Sequence, residues 1–555
     1  MSQRARNVSA VLIAGGIGGA FFAWIAGWRV ISPTSIAWVM KLDWQHHFIA
    51  WHFFRDEPWQ YPPGLISTYY APIGTAIGFT DSVPLAALTL KPFSSLLPHP
   101  FQFLGGWLLV CFVLQGMVGA SITQLWTRNV ALQVAGGVLF LLVPTLLERV
   151  GHVALTSHFL LLASLWLYFR EATRPASLGE CAALGLIAGL IHPYLAVMAL
   201  AVVVALSLRR LMRDHTSIAS KVRSAALPVF GCLAGLIAGW WTSGLLSIPG
   251  ASDLISVGLS QYSMNVLSPI APAGWSLLLP EVPLANEFQS FEGFQYLGAG
   301  LLALLPVAVG LVLWRRDWQW RTVIPLTLVC AISAVYALSP RVTVGSRVLI
   351  DLTSPALERL AVFRVTGRFF WPAAYAIVAF LIWAVVTRLR PAAALAVLSA
   401  AIGLQLLDVG AHYETVRTTA HSDAFHAWPQ SLQSPLWRTA LPHYRRLLMY
   451  PPEQCGPAPM PYIQPAFLAA NFGLSINTGH PARANRAARR AYCQQLGQDW
   501  ERGVVADDAV YLLSPAWLQL FRDAARQPVI CTDIDRMPVC VTEASYAQWR
   551  PDAVR

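Results

Sequence analysis

Two acids, two adjacent histidines and a cluster of aromatics lie early in the chain. The stretch "LDWQHHF" (Leu42–Phe48) carries Asp43, His46 and His47. A carboxylate placed there can accept the proton of an acceptor hydroxyl and make it nucleophilic. The plainer role for Asp43 is an interfacial polar residue capping a short amphipathic helix. Adjacent residues on a helix project about 100° apart, so His46 and His47 cannot both face one site with Asp43. His47, four residues on, shares a face with Asp43, and His46 does so less neatly. Either pair can orient the carboxylate or take part in a metal site, although two side chains alone hold a metal weakly. Asp81, in "GFTDSVPL", is a second candidate acid that can fold back towards Asp43. Equally, "TDS" before Val83-Pro84 reads as a helix N-cap. Asp56 and Glu57, in "FRDEPW", read as a solvated turn before Pro58.

A second pole is "FRVTGRFFWP" (Phe363–Pro372), with Arg364 and Arg368 four apart. On a helix they project together, and arginine suits forked contacts with phosphate oxygens. The alternatives are snorkelling to lipid headgroups or pairing with Asp351 or Glu358. His152, His158 and His192 fall near ends of apolar runs. Ionisable groups at membrane depth point to function, whereas a lone interfacial histidine is more often simply packed. Glu281, Glu287 and Glu292 populate a further loop where a carboxylate can contact a sugar, and Glu292 is carried forward with the histidines as a substrate-binding candidate.

The elements that position these residues are membrane helices. The chain has 555 residues, 56% of them hydrophobic and 12% charged, with mean hydropathy +0.51. Soluble domains carry about a quarter charged residues. A net charge of +11 would hint at nucleic acid in a soluble protein, but here Lys and Arg collect in short loops between apolar runs. Eleven runs approach the length of a spanning helix, near 9–31, 103–125, 130–147, 153–169, 178–191, 194–208, 224–246, 295–314, 322–338, 370–388 and 391–407. The first is too long for a signal peptide and lacks a small-residue cleavage pattern. The fifth and sixth, joined by "HPY" (His192–Tyr194), can be misread as one kinked helix. With all eleven, the basic clusters fall on one side, which predicts a cytoplasmic N-terminus and an outer C-terminus. The loop 32–102 and the tail 408–555 then lie outside, the tail as a small extracytoplasmic domain after the membrane domain 1–407. Cysteine usage agrees. Cys111, Cys181, Cys232 and Cys330 lie in apolar runs, while Cys455, Cys493, Cys531 and Cys540 lie in the polar tail. Proximity favours Cys455–Cys493 and Cys531–Cys540 as disulfides. In the tail, "AVYLLSPAWLQLF" reads as strand, turn, helix and "PVICTDIDRMPVCVT" as a hairpin. No phosphate-binding glycine loop appears.

Together these features resemble the GT-C superfamily of integral-membrane glycosyltransferases, with an acid soon after the first helix (Asp43), a long first outer loop (32–102) and many helices. The segment from Arg364 to Arg368 resembles the late arginine element of YfhO-type bacterial membrane proteins. "DWQHHFIAWHFFR" and "GFTDSVPL" resemble a poorly characterised bacterial GT-C-like family. The resemblance covers about 1–405. It implies a polytopic α-helical fold with a small C-terminal α/β domain, in a bacterial inner membrane. It also implies transfer, with inversion, of a sugar from a polyprenyl-phosphate carrier to a cell-envelope glycan or lipid acceptor. Asp43 and Asp81 would be catalytic, and Arg364 and Arg368 would hold the donor phosphate. His46, His47, His152, His158, His192 and Glu292 would bind substrate. No cofactor is implied and a divalent cation is optional. The paired Asp-Glu of protein mannosyltransferases and the WWDYG of oligosaccharyltransferases are absent, which argues against sequon glycosylation. Two other classes fit the same residues: a transporter or flippase of lipid-linked sugars, and a non-catalytic polysaccharide-assembly protein.

Overall fold

Helices form where the apolar runs predict them. In the computed structural model, which describes residues 2–212, 217–247, 258–315, 320–358, 361–456 and 460–548, seven helices are long and apolar enough to cross a membrane. They are Gln3–Ala26, Leu104–Thr123, Pro193–Leu211, Ile218–Thr242, Arg321–Leu338, Thr366–Arg388 and Pro391–His421. The pair Val130–Leu141 and Pro144–Gly151, bent by 47°, makes an eighth if it is one span. Shorter apolar helices at Phe159–Arg170, Leu178–Gly189 and Ala299–Trp314 take up the remaining runs. The protein is therefore a multi-pass membrane protein. Arg213, Asp214, His215, Arg316 and Asp317 of the basic loops lie outside the described residues.

The "HPY" junction is a real break between helices. Proline disfavours helical backbone in the residue before it, and His192 is extended (φ −160°, ψ 133°). Pro193 then starts the next helix at a position where its missing N–H costs nothing. The His192 ring accepts from the Tyr194 N–H at 3.2 Å, so this histidine serves as a cap.

Two compact units result. The first comprises 1–33, 103–240 and 254–425. Its helices approach closely through small residues, as expected where lipid removes the hydrophobic drive for association. Helix Ile218–Thr242 carries Gly231, Gly235 and Gly239 at four-residue spacing, facing helix Leu178–Gly189. A Cβ on Gly235 would collide with the Ala182 carbonyl, and one on Gly185 with the Cys232 carbonyl. Gly235→Leu is expected to lower the thermal unfolding temperature of the purified protein and to cost at least about 1–3 kcal/mol, the range for overpacking. Unchanged melting would contradict this packing.

Helix Pro391–His421 continues beyond the residue where the sequence reading ends the membrane domain. Asp408, placed at the start of the tail, is instead buried within that helix. It accepts from Tyr296 Oη at 2.6 Å and the Ala299 N–H at 2.8 Å. An acid so well supplied with donors reads as an apolar helix that simply continues.

The second unit comprises 34–102, 241–253 and 426–555. Its five-stranded sheet runs, edge to edge, Ser475–Ile476, Arg446–Tyr450, Ala509–Leu513, Met537–Thr542 and Val529–Ile534. The first three strands are parallel, and the last two form the expected antiparallel hairpin. The predicted strand–turn–helix is Ala509–Leu513 followed by Pro515–Ala524. Tyr450, Tyr511, Leu513 and Phe521 form its core. Both favoured disulfides, Cys455–Cys493 and Cys531–Cys540, are present. The long loop joins this unit directly. Ile476 N–H donates to Thr68 O and Ala71 N–H to Ile476 O, each at 2.8 Å, so the loop continues the sheet edge. Helix Trp44–Phe54 packs on helix Ile463–Asn471.

Candidate functional site

In the second unit, Asp43 occupies the N-cap position of helix Trp44–Phe54 with helical backbone (φ −71°, ψ −23°) and makes no side-chain capping hydrogen bond. Its side chain is exposed, and its charge acts on His46 and His480. The residue before it, Leu42, is left-handed (φ 49°), a conformation that costs a bulky side chain energy. Asp81 also departs from the capping expectation. Helix Pro84–Leu90 is entered through Val83, and both Asp81 (φ 52°) and Val83 (φ 47°) are left-handed. This turn carries Asp81 back to the loop helix, where its carboxylate lies within 4.8 Å of a His47 ring nitrogen. Ser82 Oγ donates to the His47 carbonyl at 2.6 Å and pins the turn.

The two histidines diverge as helix geometry requires. Asp81 lies beside buried His47, and Asp43 acts on His46. His46 Nδ1 lies 2.7 Å from Tyr462 Oη, which lies 3.1 Å from Tyr69 Oη. Tyr69 Oη accepts from the His480 N–H at 2.9 Å. The His46 and His480 rings stack with centroids 4.7 Å apart, and His480 Nδ1 is 3.3 Å from Glu453 Oε1. Burial, then the neighbouring His480, lowers the His46 pKa to about 4. The hydrogen bond to Glu453 raises that of His480. The pair therefore divides into a neutral ring and a readily protonated one.

Glu57 does not belong to a solvated turn. It is buried and gathers Gln60 Nε2 at 2.6 Å, the Ser67 and Thr68 N–H groups at 2.8 and 3.2 Å, and both their hydroxyls. Arg55, also buried, donates to the carbonyls of Ser94, Leu97 and Pro98. These two residues brace the loop beneath the histidines.

His52, on the same helix, is buried and its Nε2 lies 2.8 Å from Asn471 Oδ1. Burial lowers its pKa to about 4, against about 6.5 in an unfolded chain. The folded state thus keeps the ring neutral. Its contribution to stability is complete above about pH 6.5 and is lost as pH falls towards 4. His52→Gln keeps an amide for Asn471 but cannot take up a proton. Between pH 7 and 4.5 the variant is expected to lose less thermal stability than wild type; an equal loss would contradict the assignment.

The first unit holds a separate charged cluster. Arg364 and Arg368 do not project from one helix: Arg368 lies in a 3-10 turn, Thr366–Phe370, and Arg364 precedes it. Arg368 forks onto Glu292, with Nη2 2.7 and 2.8 Å from its two oxygens and Nε 3.1 Å from one. Arg149 Nη1 reaches the same carboxylate at 2.7 Å, and His152 Nε2 lies 3.5 Å from it. Burial pushes the Glu292 carboxyl up, but Arg368, the His152 hydrogen bond and Arg149 hold it well below the usual carboxylate range. Arg364 lies over the Tyr262 ring, 4.8 Å from its centroid, with no carboxylate partner among the described residues. Asp351 instead pairs with Arg341 at 3.5 Å. His158 is fully buried, with Nδ1 2.7 Å from Tyr375 Oη and its ring against Trp371.

Sequence reasoning passed over Arg149, Glu453, Tyr462 and His480. Arg149 had a local signal, an acid-base pair closing an apolar run in "LERVGH". The other three lie in the tail, far along the chain from "LDWQHHF".

A family model described as a domain of unknown function, DUF6311, matches residues 15–410, and a model for the DUF6311 C-terminal domain matches 436–542. Curated proteins give no match. Among solved structures, the chain is similar to the crystal structure of ArnT from Cupriavidus metallidurans bound to undecaprenyl phosphate. The likeness has 11% identity and a TM-score of 0.47, and it covers 94% of this chain and 97% of that one.

Proposed function

The chain belongs to the DUF6311 family, and from that premise we propose that it is a GT-C-type membrane glycosyltransferase. It moves a sugar from a polyprenyl-phosphate carrier to a cell-envelope glycan or lipid acceptor on the outer face of a bacterial inner membrane. The observation that carries this reading is Asp43. It stands at the start of the loop helix as an exposed acid whose charge acts on both His46 and His480, two rings stacked on each other. The left-handed residues Leu42, Asp81 and Val83 add support, since strained backbone of this kind clusters at functional sites. Disulfides in the tail and buried thiols in the helices support an oxidising outer compartment for the tail.

In the proposed reaction, Asp43 takes the proton of an acceptor hydroxyl. That oxygen attacks the anomeric carbon, and the bond to the carrier phosphate breaks with its electron pair leaving on the phosphate, inverting the centre. Arg364 is the arginine we assign to the leaving phosphate, because Arg368 is already committed to Glu292. Charge stabilisation of this kind is often the largest catalytic effect. Asp81 and His47 position the acceptor or the base. His152, Glu292 and Arg368 shape the donor side. The leaving group carries one phosphate, so the step is drawn without a metal, and a divalent cation stays optional. His158 and His192 are assigned structural roles.

The test supplies the purified protein with polyprenyl-phosphate sugars and envelope acceptors. Release of polyprenyl phosphate by wild type, and its loss in Asp43→Asn, is the expected outcome. Tight donor binding without turnover would favour a flippase or an assembly protein.

A further inference from the structure

The second unit contains a cleft of about 540 Å³ that the transfer reading does not use. It lies between the chain at Trp428–Arg438 and helix Ile463–Asn471. Trp428 and Phe467 meet at its wall nearly at right angles (88°, centroids 5.2 Å apart). Gln430, Gln433 and Asn471 also line it, as does the exposed Arg438. No acid lines the cleft, and Arg438 has no carboxylate partner among the described residues.

The walls are fixed from behind. Gln464 donates to the Pro429 carbonyl at 2.9 Å and accepts from both the N–H and the hydroxyl of Ser431. Asp535 accepts from the N–H groups of Gln433 and Ser434 at 2.7 and 2.9 Å and from Trp437 Nε1 at 2.8 Å. His52 engages Asn471 Oδ1, which leaves the Asn471 amide N–H groups to donate elsewhere. Phe467 stacks on His52 with centroids 5.3 Å apart. The aromatic faces and amides are thus held in place before any ligand arrives, which lowers the ordering cost of binding.

We propose that this cleft binds a short oligosaccharide, with Arg438 favouring one that carries a carboxylate. Pyranose rings present C–H faces that pack on aromatic rings and hydroxyls that need planar donors and acceptors, which Gln430, Gln433 and Asn471 supply. An apolar helix or a lipid chain would be served poorly by an amide-lined wall. A single arginine is too little charge for a nucleic-acid backbone. Binding is read without turnover, so the inference stands or fails independently of the transfer reading.

The experiment titrates the detergent-solubilised full chain with maltotriose and with trigalacturonate, following tryptophan fluorescence and calorimetry. Saturable binding of both is expected, with trigalacturonate the tighter. Trp428→Ala should weaken both about tenfold, the loss of one aromatic contact. Arg438→Gln should remove the preference for trigalacturonate. Asp43→Asn should bind as wild type does. Gln433→Ala, at an exposed side chain, weakens binding without threatening the fold and serves if Trp428→Ala fails to fold. No saturable binding of either trisaccharide, or binding that survives both the Trp428 and Gln433 substitutions, would overturn the proposal.

Discussion

Replacing Glu292 by alanine is expected to cost about 3–5 kcal/mol of stability, the range for removing one partner of a buried ion pair. The carboxylate holds Arg149 and Arg368 at once, through contacts of 2.7–3.1 Å, and all three side chains are buried. Without it, two guanidinium groups stay out of water with much of their compensation gone. Glu148 remains 3.3 Å from Arg149, and the Phe291 carbonyl takes one Arg149 donor at 2.6 Å, but the forked contact to Arg368 is lost outright. A membrane domain with about 5–15 kcal/mol in hand would lose a large share of it. Poor recovery of monodisperse protein and a markedly lower unfolding temperature are the readouts. Glu292→Gln, which keeps an acceptor oxygen but no charge, should fall between alanine and wild type. If Glu292→Ala melts like wild type while losing donor binding, the cluster is a ligand site held in reserve and not a structural clamp.

That distinction explains what the sequence could and could not convey. Apolar length, a local signal, located the helices, and the one-sided placement of the basic clusters kept the runs on either side of His192 apart. The tail's strand–turn–helix, hairpin and disulfides were equally local, set by alternation and short cysteine spacing. The spacing of Arg364 and Arg368 was misleading because a four-residue interval matters only on a regular helix, and the backbone there is a 3-10 turn preceded by irregular chain. Glu57 looked solvated because it precedes a proline, yet five donors from residues 60–68 surround it. The partners of His46 are Tyr462 and His480, more than four hundred residues along the chain. No pattern within "LDWQHHF" encodes them. Helical geometry did settle one point in advance: His46 and His47 had to serve different neighbours, and they do.

Asp43→Asn carries the largest expected effect on activity. Removing a positioned general base typically lowers the rate about 10²–10⁴-fold. The substitution is nearly isosteric, and asparagine is itself accepted at the start of a helix. Asp43 is exposed, and surface substitutions of this kind usually change stability by less than about 0.5 kcal/mol. The loss should therefore appear in kcat, with donor affinity retained. Arg364→Ala should do the reverse in part, weakening donor binding as well as turnover, because its charge meets the phosphate before and during bond cleavage. A shared loss of folding in both variants would point to a structural role instead.

The most direct measurement of the central claim is release of free polyprenyl phosphate from a radiolabelled or fluorescent polyprenyl-phosphate sugar by the purified chain. Wild type should release the carrier in step with sugar appearing on an envelope acceptor, and folded Asp43→Asn should bind the donor yet release about 10²–10⁴-fold less per unit time. Carrier release at wild-type rate by folded Asp43→Asn would contradict the account.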